Sequence, residues 1–146
     1  MTKPTHILLA EDDADDRELF LEAMSLVDPG ILVVTVENGE RLMAQLNESD
    51  VIPDCIFLDL NMPRKNGKEC LAEIKKNKKT QKIPVVIYTT SFNKKDIDET
   101  FDRGAACFVR KPNSFRELTS LLRKYVSEGS TQHNASKVKG KFVLNS

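Results

Sequence analysis

Acidic, hydroxyl and ammonium side chains follow short apolar runs at four places in this chain. Glu11-Asp12-Asp13 follows His6-Ile7-Leu8-Leu9-Ala10, and Asp59 follows Cys55-Ile56-Phe57-Leu58. Thr89, Thr90 and Ser91 follow Val85-Val86-Ile87-Tyr88, and Lys111-Pro112 lies just past Ala106-Cys107-Phe108-Val109. Carboxylates gathered in one cleft repel each other and resist desolvation. A divalent cation relieves both penalties. Oxygen donors without His or Cys suit Mg²⁺, which keeps several waters and takes only one or two protein carboxylates. By residue type, Asp13 and Asp59 are the candidate direct ligands, with Asp12 acting through water. Asp59 is then the candidate nucleophile, forming an acyl phosphate with an incoming phosphoryl group. Thr89 would donate a hydrogen bond to one phosphoryl oxygen, and Lys111 would neutralise another as a compact point charge.

Each residue alone has an ordinary explanation. Acids ahead of a helix are favoured by its dipole. Asp59 could be a turn former, a threonine after a strand is most often structural, and Lys-Pro is common in loops. The joint occurrence decides the matter, because independent polar signals stand at the ends of four apolar runs in one order.

Those runs must be strands for the groups to meet. Together with residues 31–36 they make five short, nearly continuous apolar segments, as a parallel sheet covered on both faces requires. Helical stripes lie between them. Leu19, Phe20, Ala23, Met24 and Val27 form one, stopped by Asp28-Pro29-Gly30. Leu42, Met43 and Leu46 form another. Cys70, Leu71 and Ile74 follow a turn at Asn66-Gly67, and Ile97 with Phe101 precede the closing Gly104. Phe115, Leu118, Leu121, Leu122 and Tyr125 make the last, with Ser114 as its cap. Five alternating units predict an α/β fold, a doubly wound parallel sheet of five strands. In such sheets ligands bind beyond the carboxyl ends of the strands.

Composition removes other classes. The 146 residues carry 22 Lys plus Arg against 22 Asp plus Glu, so no basic surplus marks a nucleic-acid binder. No apolar run approaches the ~20 residues of a membrane span, and the first residues do not read as a signal peptide. Cys55, Cys70 and Cys107 are odd in number and too far apart for a Cys-x-x-Cys pair. A cytoplasmic location is expected. Residues 128–146 turn polar before a small apolar patch at Phe142-Val143-Leu144. Two readings stay open for them, a flexible tail or a segment packed on its own domain or on a partner.

As a set, Leu9-Ala10-Glu11-Asp12-Asp13, residues 57–63 through Asp59 and Asn61-Met62-Pro63, Asn66-Gly67, Ile83-Pro84, Thr89 and Lys111-Pro112 resemble the receiver domains of two-component response regulators. The resemblance implies a flavodoxin-like, CheY-like single domain with strand order 2-1-3-4-5, over residues 1–127, and a C-terminal extension at 128–146 with no output domain. It implies that Asp59 is the phosphoacceptor, and that Asp12, Asp13, Asp59 and the carbonyl of Asn61 hold Mg²⁺. Thr89 and Lys111 would be the switch hydroxyl and the phosphate-pairing lysine, and Phe108 the switch aromatic, swinging inward when Thr89 moves. The Lys111–Pro112 bond would be cis. Thr90 stands where a smaller residue is frequent in the family, and would govern access to the phosphoryl group.

The run from Asp59 to Gly67, with Thr89-Thr90-Ser91, is most similar to small regulators that partner bacterial phytochromes. A sensor histidine kinase of phytochrome type is therefore the implied donor. Dimerisation through the fourth helix, fifth strand, fifth helix and C-terminal extension is implied as well, with no nucleic acid and no membrane as partners. The function implied is a phosphorylation switch in phosphorelay signal transduction, catalysing only its own phosphorylation and dephosphorylation. Two other readings compete. A phosphohydrolase with an aspartyl-phosphate intermediate places an acid two residues after its nucleophile, where this chain has Asn61. A pseudo-receiver loses the acids, the hydroxyl or the lysine, and all are present here.

Overall fold

The computed structural model describes residues 4–135 and 142–144; the side chains of 129–135 lie outside the description. In chain order the elements are β1 (His6–Ala10), α1 (Ala14–Val27), β2 (Leu32–Val36), α2 (Gly39–Glu48), β3 (Cys55–Leu58), α3 (Gly67–Lys76), β4 (Val85–Thr89), α4 (Lys94–Asp102), β5 (Cys107–Arg110), α5 (Phe115–Ala135) and β6 (Val143–Leu144). The strands pair in parallel in the order 2-1-3-4-5-6. The five expected strands stand in the expected order. A sixth is added at the β5 edge by residues 143 and 144, from the apolar patch of the extension.

The side-chain alternation of each strand divides the core into two layers. Leu8, Ala10, Ile56, Leu58, Val85, Ile87 and Phe108 face one way, against Leu42, Leu46, Leu71 and Ile74 of α2 and α3. Ile7, Leu9, Cys55, Phe57, Val86, Tyr88, Cys107 and Val109 face the other, against Phe20 and Met24 of α1 and Leu118, Leu122 and Tyr125 of α5. Both faces of the central strands are covered, which is why their sequences lack polar alternation. The three cysteines are buried and free.

Helix starts are set by side-chain caps. Asn38, Asn66 and Asn93 each accept from the backbone N–H three residues on, and Asn66 with Glu69 forms a reciprocal capping box. Ser114 Oγ accepts from Glu117 N at 3.1 Å, so the expected cap of α5 is present. The extension differs from a simple tail. α5 runs to Ala135, past residue 127, and Phe142 is fully buried in the layer of α2 and α3. No described peptide bond is cis, so the Lys111–Pro112 bond is trans, a correction to the expectation drawn from the resemblance.

Candidate functional site

The parallel sheet brings the carboxyl ends of β1, β3, β4 and β5 to one edge. Adjacent backbone groups lock them together: Asp59 N donates to Ala10 O at 3.1 Å, and Lys111 N donates to Thr89 O at 2.9 Å. Gly67 lets α3 begin close beneath the acid. A Cβ there would come within 2.3 Å of the Asp59 carbonyl oxygen and 2.7 Å of Leu60 Cα, so only glycine fits.

Carboxylate oxygens of Glu11, Asp12 and Asp59 lie within 4.8 Å of one another. Glu11 is fully buried and Asp59 nearly so, whereas Asp12 is exposed. Lys111 Nζ reaches Glu11 Oε1 at 2.5 Å, Asp16 Oδ2 at 3.0 Å and Asp59 Oδ2 at 3.2 Å, and lies 5.7 Å from the centre of the Tyr88 ring. Burial pushes the Glu11 carboxyl up from 4.5 to about 7; pairing with Lys111 opposes the rise and the charge of Asp59 adds to it. Burial pulls the Lys111 ammonium down, but Glu11, Asp59 and Asp16 outweigh it and hold it above its usual value.

The acids differ from the pair expected. Asp13 is not among the three converging carboxylates, and its Oδ1 accepts from Asp16 N at 3.0 Å as the N-cap of α1. Glu11 takes the inward place. The physical reason is register: Ala10 ends β1 facing inward, Glu11 N still bonds Val36 O at 3.0 Å, and the helix must be capped two residues later. Glu11 was visible in the sequence only as part of an acidic run. Asp16 carried no signal of its reach to Lys111, because a helix-start acid has an ordinary explanation.

Asn61 N donates to Asp59 Oδ1 at 3.1 Å, and its side-chain amide donates to Ser91 Oγ at 3.0 Å. Thr89 is fully buried and accepts from Ser91 N at 3.3 Å. Asn61 and Ser91 thus bridge the loops after β3 and β4. Thr90 is exposed beside them. Phe108 is already fully buried, with Phe92 and Phe142 against it at 6.3 Å each. An outward ring waiting to swing inward is therefore not what this structure holds.

The donor set fits a hard divalent cation. It is all oxygen, three carboxylates converge, and one ammonium shared among three acids leaves an excess of negative charge. Among the described residues no helix is long and apolar enough to cross a membrane.

A family model described as the response regulator receiver domain matches residues 7–123. The chain belongs to the response regulator receiver family. Receiver domains of this family are signalling switches rather than enzymes with an external substrate. The chain is similar to the response regulator Rcp1 of Synechocystis sp., 35% identical over 127 residues, covering 82% of this chain and 85% of Rcp1. It is similar in structure to the phosphorylated cyanobacterial phytochrome response regulator RcpA, with a TM-score of 0.77 and 36% identity, covering 82% of this chain and 89% of RcpA. The Mn²⁺-bound form of Rcp1 superposes with a TM-score of 0.75 at 32% identity, over 83% of this chain and 91% of that one. Several other curated relatives are longer, and the chain spans 15%, 53% and 47% of three of them.

Proposed function

We propose that this receiver takes a phosphoryl group from a histidine kinase onto Asp59 and relays that event through its β5 flank. The observation that carries the reading is the placement of Asp59. A nearly buried carboxylate meets two further acids within 4.8 Å and an ammonium at 3.2 Å, an arrangement in which a divalent cation and Lys111 would both stand ready to offset a phosphoryl group on Asp59.

Asp59 supplies the nucleophilic oxygen. The P–N bond of a phosphohistidine breaks as the Asp59 O–P bond forms, and the imidazole leaves, taking a proton from water. Glu11, Asp12, Asp59 and the carbonyl of Asn61 would hold Mg²⁺ or Mn²⁺. That ion would offset the charge of Asp59 and of the incoming phosphoryl group. Asp13 serves α1 instead. Lys111 is already within reach and would pair with a phosphoryl oxygen. Thr89 would donate its hydroxyl to another, and Thr90 would limit the approach of water. The acyl phosphate carries about −1.5 to −2 charges where the carboxylate carried one. A shift from 1:99 to 99:1 needs about 5.5 kcal/mol of differential stabilisation.

The output would run through α4, β5 and α5 to a protein partner or a second copy of the chain. Phytochrome-type kinases are the proposed donors, on the likeness to Rcp1 and RcpA. The test is Asp59→Asn with acetyl phosphate and Mg²⁺, read by intact mass. Wild type should gain one acid-stable, base-labile phosphoryl group and the variant none. Stable uptake by the variant would put the acceptor elsewhere.

A further inference from the structure

Phe142 lies beyond the end of α5, yet it is fully buried. Its ring meets Phe101 of α4 edge-on, with centroids 5.2 Å apart, and meets Phe108 of β5 at 6.3 Å. Phe108 in turn meets Phe92, in the loop after β4, at 6.3 Å, and the Arg110 guanidinium sits 5.2 Å over the Phe92 ring. A continuous row of four rings therefore connects the loop that follows Thr89 with the C-terminal strand. Beside that row, Phe108 pairs with Val143 and Val109 pairs with Leu144 in parallel register. Val143 packs on one layer of the core and Leu144 on the other, so the strand grips both faces of the sheet edge.

Two paired residues are a short strand. The backbone bonds of such an edge hold little by themselves, and Phe142 supplies the anchor. An element held by one buried ring and a short ladder sits at the low end of local stability, where a small bias changes its occupancy. That bias is available. Packed interiors do not let one ring move without its neighbours. Phe108 is the ring shared between the strand and the β4 loop, and Arg110, two residues on, pairs in register with Thr89.

We propose that the β5 edge, with the slot between Phe101 and Phe108, is a strand-binding groove filled by residues 142–144 of the chain itself, and that phosphorylation of Asp59 loosens this strand through Phe108. The inference rests on the phosphorylation reading above and adds its regulation. When Thr89 is drawn toward the phosphoryl group, Phe108, which is already buried and so has no outward-to-inward swing to make, shifts within the core toward the space that Thr89 vacates and loosens its contact with Phe142. The freed edge then offers unpaired backbone groups and an aromatic slot, the features by which a sheet accepts an extended strand. Linkage makes the effect reciprocal: whatever detaches the strand must favour the phosphorylated state by the same factor.

The experiment is amide hydrogen exchange on the full chain, with and without beryllofluoride and Mg²⁺, in wild type, Phe142→Ala, Phe142→Leu and Asp59→Asn. Exchange in wild type at Val143, Leu144 and Val109 should rise roughly tenfold on adding the phosphate mimic, within the usual span of such couplings. Phe142→Ala should exchange fast there in both states and bind beryllofluoride more tightly by the same factor. Phe142→Leu should restore slow exchange without the mimic. Asp59→Asn should not respond. Mimic binding at Asp59 with exchange at β6 unchanged or slowed overturns the groove proposal alone. Absence of any mimic binding to wild type overturns the phosphorylation reading, and the proposal falls with it.

Discussion

The acidic cluster and the aromatic row flank the same two strands, β4 and β5, and opposite physics holds them. Around Lys111, Glu11, Asp16 and Asp59 compete for one ammonium in a place where two of the three acids are nearly out of water. Along Phe92, Phe108, Phe142 and Phe101, no charge is buried and the contacts are edge-on and tilted rings. The first arrangement is unfavourable until a divalent cation joins it. The second is satisfied as it stands. A switch needs that inequality: one region under strain that a ligand relieves, joined to one that gives up its packing only when pulled. Under the proposed switch, Thr89 and Phe108 would be the joint, on neighbouring parallel strands.

Replacing Lys111 should break the comparison most strongly. Lys111→Ala leaves Glu11 and Asp59 with no cation in a buried place, and removing one partner of such a pair costs about 3–5 kcal/mol. Thermal melts in chelator should show that loss, and Mg²⁺ should recover more of it in the variant than it adds to wild type. An unchanged melting temperature in chelator would mean that the ammonium is not what offsets the acids.

Phe142→Ala tests the other side. An enclosed Phe→Ala change costs ~3–5 kcal/mol. Here the strand can peel away and its cavity need not persist, so about 2 kcal/mol is expected. That loss should be indifferent to salt and Mg²⁺, because no charge is involved. A loss that tracked Mg²⁺ would show that the aromatic row is already coupled to the metal site without phosphorylation.

The two regions were also unequally legible. Asp59, Thr89 and Lys111 stand at strand ends, and a parallel sheet must bring those ends to one edge, so their meeting follows from the apolar runs. The choice among Glu11, Asp12 and Asp13 does not follow. It depends on which residue bonds β2, which points inward and which caps α1, and a one-residue shift exchanges all three roles. Phe142 was legible only as an apolar patch after a polar stretch. Its partners, Phe101 and Phe108, lie more than thirty residues away in sequence, beyond the reach of any local pattern. The same distance hid Asp16, which is 95 residues from Lys111.

The smallest effect concerns Glu11 and pH. Its carboxyl sits at about 7 in the folded chain, against an ordinary 4.5, chiefly because burial disfavours its charge. Between those two values the folded state keeps a proton that the unfolded chain has released. Stability therefore falls as pH rises from about 4.5 to about 7, and the contribution is whole only below 4.5. Lys111 does not disturb this window, since its pKa is raised from 10.5 and it titrates only at higher pH. Glu11→Gln removes the titration and keeps the shape. In chelator its stability should decline less than wild type across that window, by about 1 kcal/mol once relaxation and water entry are allowed for. Parallel curves for the two proteins would mean that Glu11 stays ionised beside Lys111 throughout. The cluster would then carry its full negative charge at rest, and its need for a divalent cation would be greater than its burial implies.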